Sequence, residues 1–280
     1  MSFLYDVPGP VTRRRIRIAT AVTALAILAL LGFAAWQLNQ HDQLDAERWT
    51  PFLDVDIISY LLVGLRGTVL AAGVVAVMAF PLGVLLAVAR TSEHAALRVP
   101  AVVFIELFRT VPVLLLIFVM LFALPRYGFN PSVLWKLVIP LTVANAAAIA
   151  EIVRAGIVTL PRGQSEAGLS LGLRRAQVVR RIVLPQALRN VTPSLVSQVV
   201  SLLKDTSLGY VVAFTEMLYR AQVLTSYNRL LIQTYVVVTL VYLLVNGSIS
   251  WFAAWLRKRL DTPADVAVAE VPAVLPVMSR

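Results

Sequence analysis

Six apolar runs dominate this sequence, and each is long enough to cross a lipid bilayer as a helix. They occupy roughly residues 16–38, 60–89, 101–125, 133–153, 190–214 and 231–256. An α-helix rises about 1.5 Å per residue and the hydrocarbon layer is about 30 Å thick, so about 20 apolar residues suffice for one crossing. Hydrophobic residues make up 59% of the chain and charged residues 14%, which is outside the range of soluble domains. The sequence therefore predicts an all-α membrane protein with six transmembrane helices.

The first apolar run follows a basic cluster, as the apolar part of a signal peptide also does. The cluster comprises Arg13, Arg14, Arg15 and Arg17. The run at 16–38 is longer than the apolar part of a signal peptide, and no convincing small-residue cleavage site follows it. We interpret this run as a retained membrane helix.

Basic residues concentrate on one side of the predicted membrane. When residues 1–15 are placed in the cytoplasm, the acidic loop 39–59 lies outside, and the arginine-rich segment 154–189 lies inside. The basic residues 257–259 after the last run also fall on the cytoplasmic side. This distribution follows the positive-inside rule and places both termini in the cytoplasm. The net charge of +10 therefore needs no nucleic acid partner to explain it.

Residue types that carry catalysis or bind metals are scarce. The chain has no cysteine, and His41 and His94 lie far apart in polar segments, so we predict no disulfide and no metal site. It also lacks the Gly-x-x-x-x-Gly-Lys-Ser/Thr loop that cradles phosphates and the His-Glu-x-x-His zinc motif. We predict that the chain is not an enzyme and binds no cofactor itself.

The longest connection between predicted spans, residues 154–189, has helical features of its own. A short helix is predicted at about 162–171, with a stop at Gly172, a residue suited to the left-handed conformation. A second short helix is predicted at about 174–183, before Pro185. Such a hairpin can dock a partner protein, but a basic loop lying on anionic lipid headgroups would also explain the arginines.

The same segment resembles the EAA loop of ABC import permeases in residue type and in spacing. The matching positions are Glu166, Ala167, Gly168, Gly172, Ile182, Leu184 and Pro185. Gly168 departs from the family pattern, which has a second alanine there, and we expect this glycine to loosen the first helix slightly. The resemblance implies that residues 162–186 couple this chain to ATPase subunits.

Further stretches are similar to the polar amino acid uptake branch of that family. They are residues 151–157, 163–167, 184–189 and 203–208, together with 106–112, where Thr110 and Val111 stand in place of a Gly-Thr pair. The opening residues 4–10 and the extra first helix resemble the larger permease of actinobacterial glutamate importers. The resemblance covers about residues 60–256.

This resemblance implies a type I ABC importer fold, with a five-helix core at 60–256 and one extra N-terminal helix. It implies a dimer with a second permease, either a sister subunit or a second copy, in the bacterial cytoplasmic membrane. Two partner ATPase subunits would bind the ATP, and an extracytoplasmic substrate-binding protein would deliver the amino acid. Glutamate is the favoured cargo. The composition of residues 257–280 predicts a disordered cytoplasmic tail.

The fifth apolar run carries polar residues at helical spacing. They include Ser194, Ser197, Gln198, Ser201, Lys204 and Asp205. Because polar groups inside a membrane must meet protein or water, we interpret this stripe as the wall of a translocation cavity. Lys204 can bind the α-carboxylate of an amino acid, while Asp205, Thr206 or Ser207 can bind its α-ammonium group. Alternatively, Lys204 and Asp205 satisfy each other or a neighbouring helix as structural contacts.

Other polar groups in the apolar runs have two interpretations. Asn145 either joins the same cavity or forms a hydrogen bond between helices. The pairs Glu106–Arg109 and Glu151–Arg154 are spaced i,i+3, which favours local ion pairs over a gating role.

Two other classes of protein fit this sequence less well. An ion-coupled secondary transporter would use Lys204 and Asp205 as its coupling site, but would be expected to show broken helices in repeated halves. No such repeat is evident. A membrane-embedded enzyme would need convergent nucleophilic, acidic or metal-binding groups, which this sequence does not offer.

Overall fold

The computed structural model describes residues 9–260, and every regular element in that range is a helix. The α-helices are α1 Pro10–Gln40, α2 Ala46–Trp49, α3 Val55–Arg90, α4 Ala95–Thr110, α5 Val113–Phe118, α6 Val133–Val158, α7 Arg162–Ser170, α8 Arg175–Val178, α9 Leu184–Asp205, α10 Met217–Asn228 and α11 Leu231–Leu260. The all-α prediction is confirmed for this part of the chain.

Four helices are long and apolar enough to cross a membrane: α1, α3, α6 and α11. A fifth candidate consists of α4 and the segment Val113–Tyr127, which meet at an angle of 97°. The break falls at Val111 and Pro112, where both residues have extended backbone angles. Proline disfavours the helical conformation in the residue before it, so the predicted run at 101–125 is not one straight helix.

The predicted span at 190–214 differs most from the structure. The helix α9 begins earlier, at Leu184, and ends at Asp205, after which residues 206–212 form a 3₁₀ turn. It is not among the helices apolar enough to span a membrane, because its polar stripe interrupts the apolar sequence. By length and composition the described residues provide four spans, or five with the bent pair. The predicted count of six is therefore not confirmed.

The helix α6 forms the centre of the hydrophobic core, between α3, α4 and α9. It meets α3 most closely at Gly83, where a Cβ atom would lie 2.7 Å from Ile149 Cγ2 and 2.9 Å from the Ala146 carbonyl oxygen. Only glycine allows the two helices to pack at this distance. Apolar side chains such as Val75, Leu141 and Val153 fill the remaining space and are fully buried.

The end of the bundle at which α10 begins is held together by buried polar contacts. Glu216 caps α10: its carboxylate accepts hydrogen bonds from the backbone N–H groups of Leu218 at 2.8 Å and Tyr219 at 2.6 Å. The Tyr242 hydroxyl of α11 donates to the same carboxylate at 3.3 Å. A Cβ atom on Gly67 of α3 would lie 2.0 Å from the Thr215 carbonyl oxygen, so α10 can begin here only against a glycine.

The helix α1 stands apart from this bundle, with nearly all of its side chains exposed. Its C-terminal end is joined to the bundle through Gln43, whose carbonyl accepts hydrogen bonds from Trp49 Nε1 at 3.0 Å and Gln233 Nε2 at 2.8 Å. The predicted external loop 39–59 is thus structured, with Phe52 buried in a cluster with Met217.

Parts of two sequence predictions fall outside the described residues. Residues 257–260, predicted as the start of a disordered tail, continue α11. Residues 261–280 of that tail lie outside the described range, as do residues 4–8 of the opening stretch.

Candidate functional site

The segment predicted to contact a partner forms a helical hairpin, defined here as residues 162–186. Its first arm, α7, ends in a left-handed residue, Gly172, with φ of 79°. The N–H of Gly172 donates to the Leu169 carbonyl at 2.9 Å, and the N–H of Leu173 donates to the Gly168 carbonyl at 3.2 Å. This pair of hydrogen bonds is the Schellman motif that ends many helices. The predicted helix stop at Gly172 is confirmed.

The second arm of the hairpin continues directly into α9. Residues 179–183 form a π-helical turn between α8 and Leu184, so the predicted end of this helix before Pro185 is wrong. Proline cannot supply an N–H group to a regular helical hydrogen bond, and the wider π turn before it accommodates this loss. The Gln186 side chain donates instead to the Ile182 carbonyl at 2.8 Å. As a result, the second arm of the hairpin and α9 form one uninterrupted helical segment.

The residues of the EAA-like pattern divide into an inner and an outer group. Gly168 is buried and Ile182 and Leu184 are partly buried, so these three hold the hairpin together. The outer group is exposed and consists of Glu166, Ala167, Gly172 and Pro185. The expectation that glycine at 168 loosens the first helix overlooks this packing, because the missing side chain makes room for Ile182.

The hairpin surface is basic and is connected to the rest of the bundle. Arg175 at the start of α8 forms an ion pair with Glu93 in the turn between α3 and α4. Further exposed arginines are Arg162, Arg174, Arg180 and Arg181. The tip carries Leu171, whose side chain is 82% exposed. An exposed leucine surrounded by arginines suits a protein surface with an apolar pocket and an acidic rim.

Two residues of the predicted polar stripe line a cleft between α4, α6 and α9. Ser194 and Gln198 contribute from α9, together with Arg109 of α4 and Glu151 of α6, and the cleft has a volume of about 420 Å³. Asn145 is attached to this wall, because Gln198 Nε2 donates to its Oδ1 at 2.8 Å. Of the two interpretations of Asn145, the structure shows the hydrogen bond between helices.

The remaining stripe residues do not line that cleft. Ser197 lies in a groove of about 330 Å³ that α9 forms with α11. Lys204 and Ser207 line another groove, of about 320 Å³, with Tyr242 and Asn246. Within a single chain the stripe is therefore not the wall of one cavity.

Three predicted site residues remain, Ser201 and Asp205 of the stripe and Thr206 just after it, and their surroundings differ. Ser201 is exposed, Asp205 is half-buried, and Thr206 is fully buried with its hydroxyl donating to the Leu203 carbonyl at 2.7 Å. Thr206 is therefore occupied in ending the helix. In the described part of the chain, Lys204 and Asp205 do not form an ion pair with each other or with another residue. The interpretation that these two charges are structural contacts therefore has no ion pair in the described residues to support it.

Glu151 lies at the centre of an ion network that joins three helices. Its carboxylate accepts a hydrogen bond from Arg154 Nε at 2.8 Å, which confirms the predicted pair on α6. Its Oε2 also lies 3.1 Å from Arg90 Nη1 of α3 and 3.9 Å from Arg109 Nη1 of α4. The 3.1 Å contact lacks the geometry of a hydrogen bond and is an ion pair only.

The prediction of an ion pair between Glu106 and Arg109 is wrong. Glu106 Oε1 accepts a hydrogen bond from Arg90 Nη2 at 2.8 Å instead. Sequence spacing could not reveal Arg90, because it lies on a different helix, 16 residues away from Glu106. The i,i+3 rule applies only within one helix.

The comparisons with known proteins decide the family. Residues 79–262 match the family of binding-protein-dependent transport system inner membrane components. The chain belongs to this family. It is 37% identical over 227 residues to the glutamate transport system permease protein GluD of Corynebacterium glutamicum, covering 80% of this chain and 83% of that protein. It is 34% identical over 205 residues to the probable glutamine ABC transporter permease protein GlnP of Bacillus subtilis, covering 72% and 94%.

A solved structure supports the same conclusion for this permease. The crystal structure of an amino acid ABC transporter with histidines superposes with a TM-score of 0.68 at 25% identity, covering 73% of this chain and 96% of that one. The chain is therefore a membrane-spanning permease subunit of an amino acid ABC importer, with the type I fold. Sequence reasoning about the permease missed two contributors to its architecture, Arg90 and Glu216, because both act between helices that are distant in sequence.

Proposed function

We propose that this permease imports a polar amino acid, with glutamate favoured, using ATP that is bound by separate ATPase subunits. The choice of glutamate rests on the similarity to a glutamate permease, whereas another relative is named for glutamine. We further propose that the permease pairs with a second permease in the bacterial cytoplasmic membrane, with both termini inside, and receives its cargo from an external binding protein.

The observation that carries the coupling proposal is the continuity between the hairpin and α9. The hairpin exposes Glu166 and Leu171 to a partner, while its inner residues fix it to α9 through the π turn. A displacement of the hairpin by ATPase subunits would therefore move α9 directly. Helical elements that move as packed bodies are a usual means of domain closure.

The cleft between α4, α6 and α9 suits a small zwitterion. Arg109 offers a guanidinium group for a carboxylate, Glu151 offers a carboxylate near an incoming ammonium group, and Ser194 and Gln198 add neutral hydrogen-bonding groups. Lys204 and Ser207 offer a second set of contacts in the groove at the C-terminal end of α9. We propose that the substrate passes along α9 between these two sites, which the second permease would enclose.

Reconstitution into vesicles tests the proposal. The permease is assembled with its ATPase and binding-protein partners, and uptake of labelled glutamate, glutamine and arginine is measured with and without ATP. Glu166→Ala and Gly172→Pro should abolish ATP-dependent uptake while the complex still assembles. Gly73→Ala is the matched control, because Gly73 lies in α3, outside the hairpin, with no atom within 4 Å of an added Cβ.

Each outcome of this experiment has a clear meaning. ATP-dependent uptake that the hairpin variants lose would support the importer and identify its cargo. Uptake of glutamine but not glutamate would support the importer and overturn the choice of cargo. Uptake driven by an ion gradient and insensitive to the hairpin variants would overturn ATP coupling in favour of a secondary transporter.

A further inference from the structure

Among the contacts between α9 and α6, one lies just beyond the hairpin and is close enough to require a glycine. A Cβ atom on Gly156 would lie 2.6 Å from Val191 Cγ1 and 2.9 Å from the Ala187 carbonyl oxygen. Gly156, Ala187 and Val191 are all buried. Because side chains in such a packed contact cannot pass one another, this part of α9 and α6 must move together or lose the contact altogether.

The same part of α6 carries the centre of the ion network. Glu151 precedes Gly156 by five residues, a little less than one and a half helical turns, so it projects from a different face of α6. On that face it contacts Arg90 of α3 and Arg109 of α4. A shift of α6 relative to α3 and α4 would therefore change these two ion pairs.

The cleft lies between α4 on one side and the packed pair α6 and α9 on the other. Arg109 lines it from α4, Glu151 from α6 and Val191 from α9. Val191 thus contributes both to the glycine contact and to the cleft wall. A common shift of α6 and α9 relative to α4 therefore alters the cleft and the position of Glu151 at once.

We infer that the contact between Gly156 and Val191 is the joint through which the hairpin moves Glu151 and its arginines, so that Gly156 is a positioning residue for the substrate cleft. This inference rests on the ATP-driven function proposed above. It assigns to α6 and the beginning of α9 a common displacement, against α4, whenever the ATPase subunits move the hairpin. The ion contact between Glu151 of α6 and Arg109 of α4 is the one that such a displacement changes directly.

The first test adds a methyl group on one side of the contact, at Gly156, and removes side-chain atoms on the other side, at Val191. Gly156→Ala adds a carbon next to Val191, Val191→Ala removes the Cγ atoms there, and the double variant combines the two changes. We measure the number of amino acids imported per ATP hydrolysed by the reconstituted complex. Each single variant should lower this ratio by about threefold or more. The double variant should recover part of the loss caused by Gly156→Ala, because the contact with Val191 Cγ1 at 2.6 Å is removed while the Ala187 carbonyl oxygen at 2.9 Å stays. Gly73→Ala of α3 serves as the control, because Gly73 lies outside the hairpin and the cleft and has no atom within 4 Å of an added Cβ.

This ratio separates positioning from simple packing. A structural role alone would lower ATP hydrolysis and uptake by the same factor, leaving the ratio unchanged, and that result would overturn the inference. Unchanged ratios in both single variants at full activity would overturn it as well. If Gly156→Ala does not assemble, Val191→Ala carries the test, because removing atoms creates a cavity but no clash.

A second test measures the displacement itself and does not require uptake. The chain has no cysteine, so spin labels can be placed at chosen exposed positions without background. Labels at Val158 of α6 and Arg189 of α9 should keep their distance when ATP is added, whereas labels at Leu107 of α4 and Arg189 should change theirs. A change in the first pair would overturn the inference.

These measurements also distinguish the inference from the function on which it rests. A wild-type complex that imports nothing with ATP would remove the proposed function. A wild-type complex that imports with ATP, but shows the same transport ratio in all Gly156 and Val191 variants, would remove only the inference.

Discussion

Ile182 occupies the space that a side chain at position 168 would need: its Cδ1 atom lies 2.7 Å from the place where a Cβ on Gly168 would be. The next closest atom is Val178 Cγ2, at 3.0 Å. Gly168 belongs to the first arm of the hairpin, and both neighbours belong to the second arm. The departure from alanine at 168 is therefore matched by the side chains that pack against it, and the two arms lie closer together than an alanine would allow.

Alanine at position 168 should open the hairpin, and a smaller residue at 182 should close it again. Gly168→Ala is expected to lower the free energy of unfolding by about 1–3 kcal/mol through overpacking. ATP-dependent uptake should fall as well. Adding Ile182→Val to this variant removes the Cδ1 atom that lies 2.7 Å from the new Cβ, and should restore most of the stability and most of the uptake. Thermal unfolding and uptake are measured for the two single variants and the double variant. Equal stability of wild type and Gly168→Ala would show that the arms separate without strain.

The effect of a substitution at Gly172 on stability should depend on how readily the new residue adopts a left-handed backbone conformation, and not on the size of its side chain. No atom lies within 4 Å of an added Cβ, but the φ of 79° is unfavourable for residues with a side chain. Gly172→Ala should therefore cost about 1 kcal/mol of stability, and Gly172→Asn less, since asparagine visits the left-handed region more readily. Thermal unfolding of the two variants checks this order. The reverse order, with alanine the more stable, would contradict the Schellman geometry.

The sequence predicted those features of the hairpin that depend on neighbouring residues. Gly172 marks a helix end through its own conformational freedom, and the all-helical fold follows from the length of the apolar runs. The contacts of Gly168 and the ion pair of Glu106 with Arg90 were beyond such reasoning, because each depends on how separate helices pack. The break at Val111 and Pro112 follows the proline rule, but that rule alone could not have selected it, because Pro81 and Pro140 lie inside continuous helices.

The stripe on α9 shows the same limit in another form. Helical spacing correctly identified Ser194 and Gln198 as neighbours on one face, and the structure places both in the cleft. Spacing cannot show how far a stripe rotates around its helix or which neighbour covers each part. Ser197 and Lys204 therefore face grooves shared with α11 instead.

Removal of the Glu151 charge should be more damaging than removal of the Glu106 charge. Glu151→Gln would leave Arg90, Arg109 and Arg154 without their shared carboxylate, whereas Glu106 has Arg90 as its ion partner and is 51% exposed. We expect a loss of about 1–3 kcal/mol for Glu151→Gln and at most about 1 kcal/mol for Glu106→Gln. Thermal unfolding in detergent measures both, with Glu93→Gln as an exposed control. Similar losses for the two variants would show that Glu151 is not the centre of the network.

Lys204 offers a direct choice between a substrate contact and a structural one. No carboxylate in the described part of the chain forms an ion pair with it, and its side chain is exposed at the groove that also holds Ser207 and Asn246. Lys204→Met keeps the length of the side chain and removes its charge, so it should leave thermal stability within about 0.5 kcal/mol of wild type. Uptake should nevertheless fall about tenfold or more, because a desolvated charge–charge contact with a carboxylate is lost. Lys204→Arg should retain a larger part of the uptake. A stable Lys204→Met variant with normal uptake would exclude the substrate contact, and a large loss of stability would show that Lys204 supports a structural contact with another subunit.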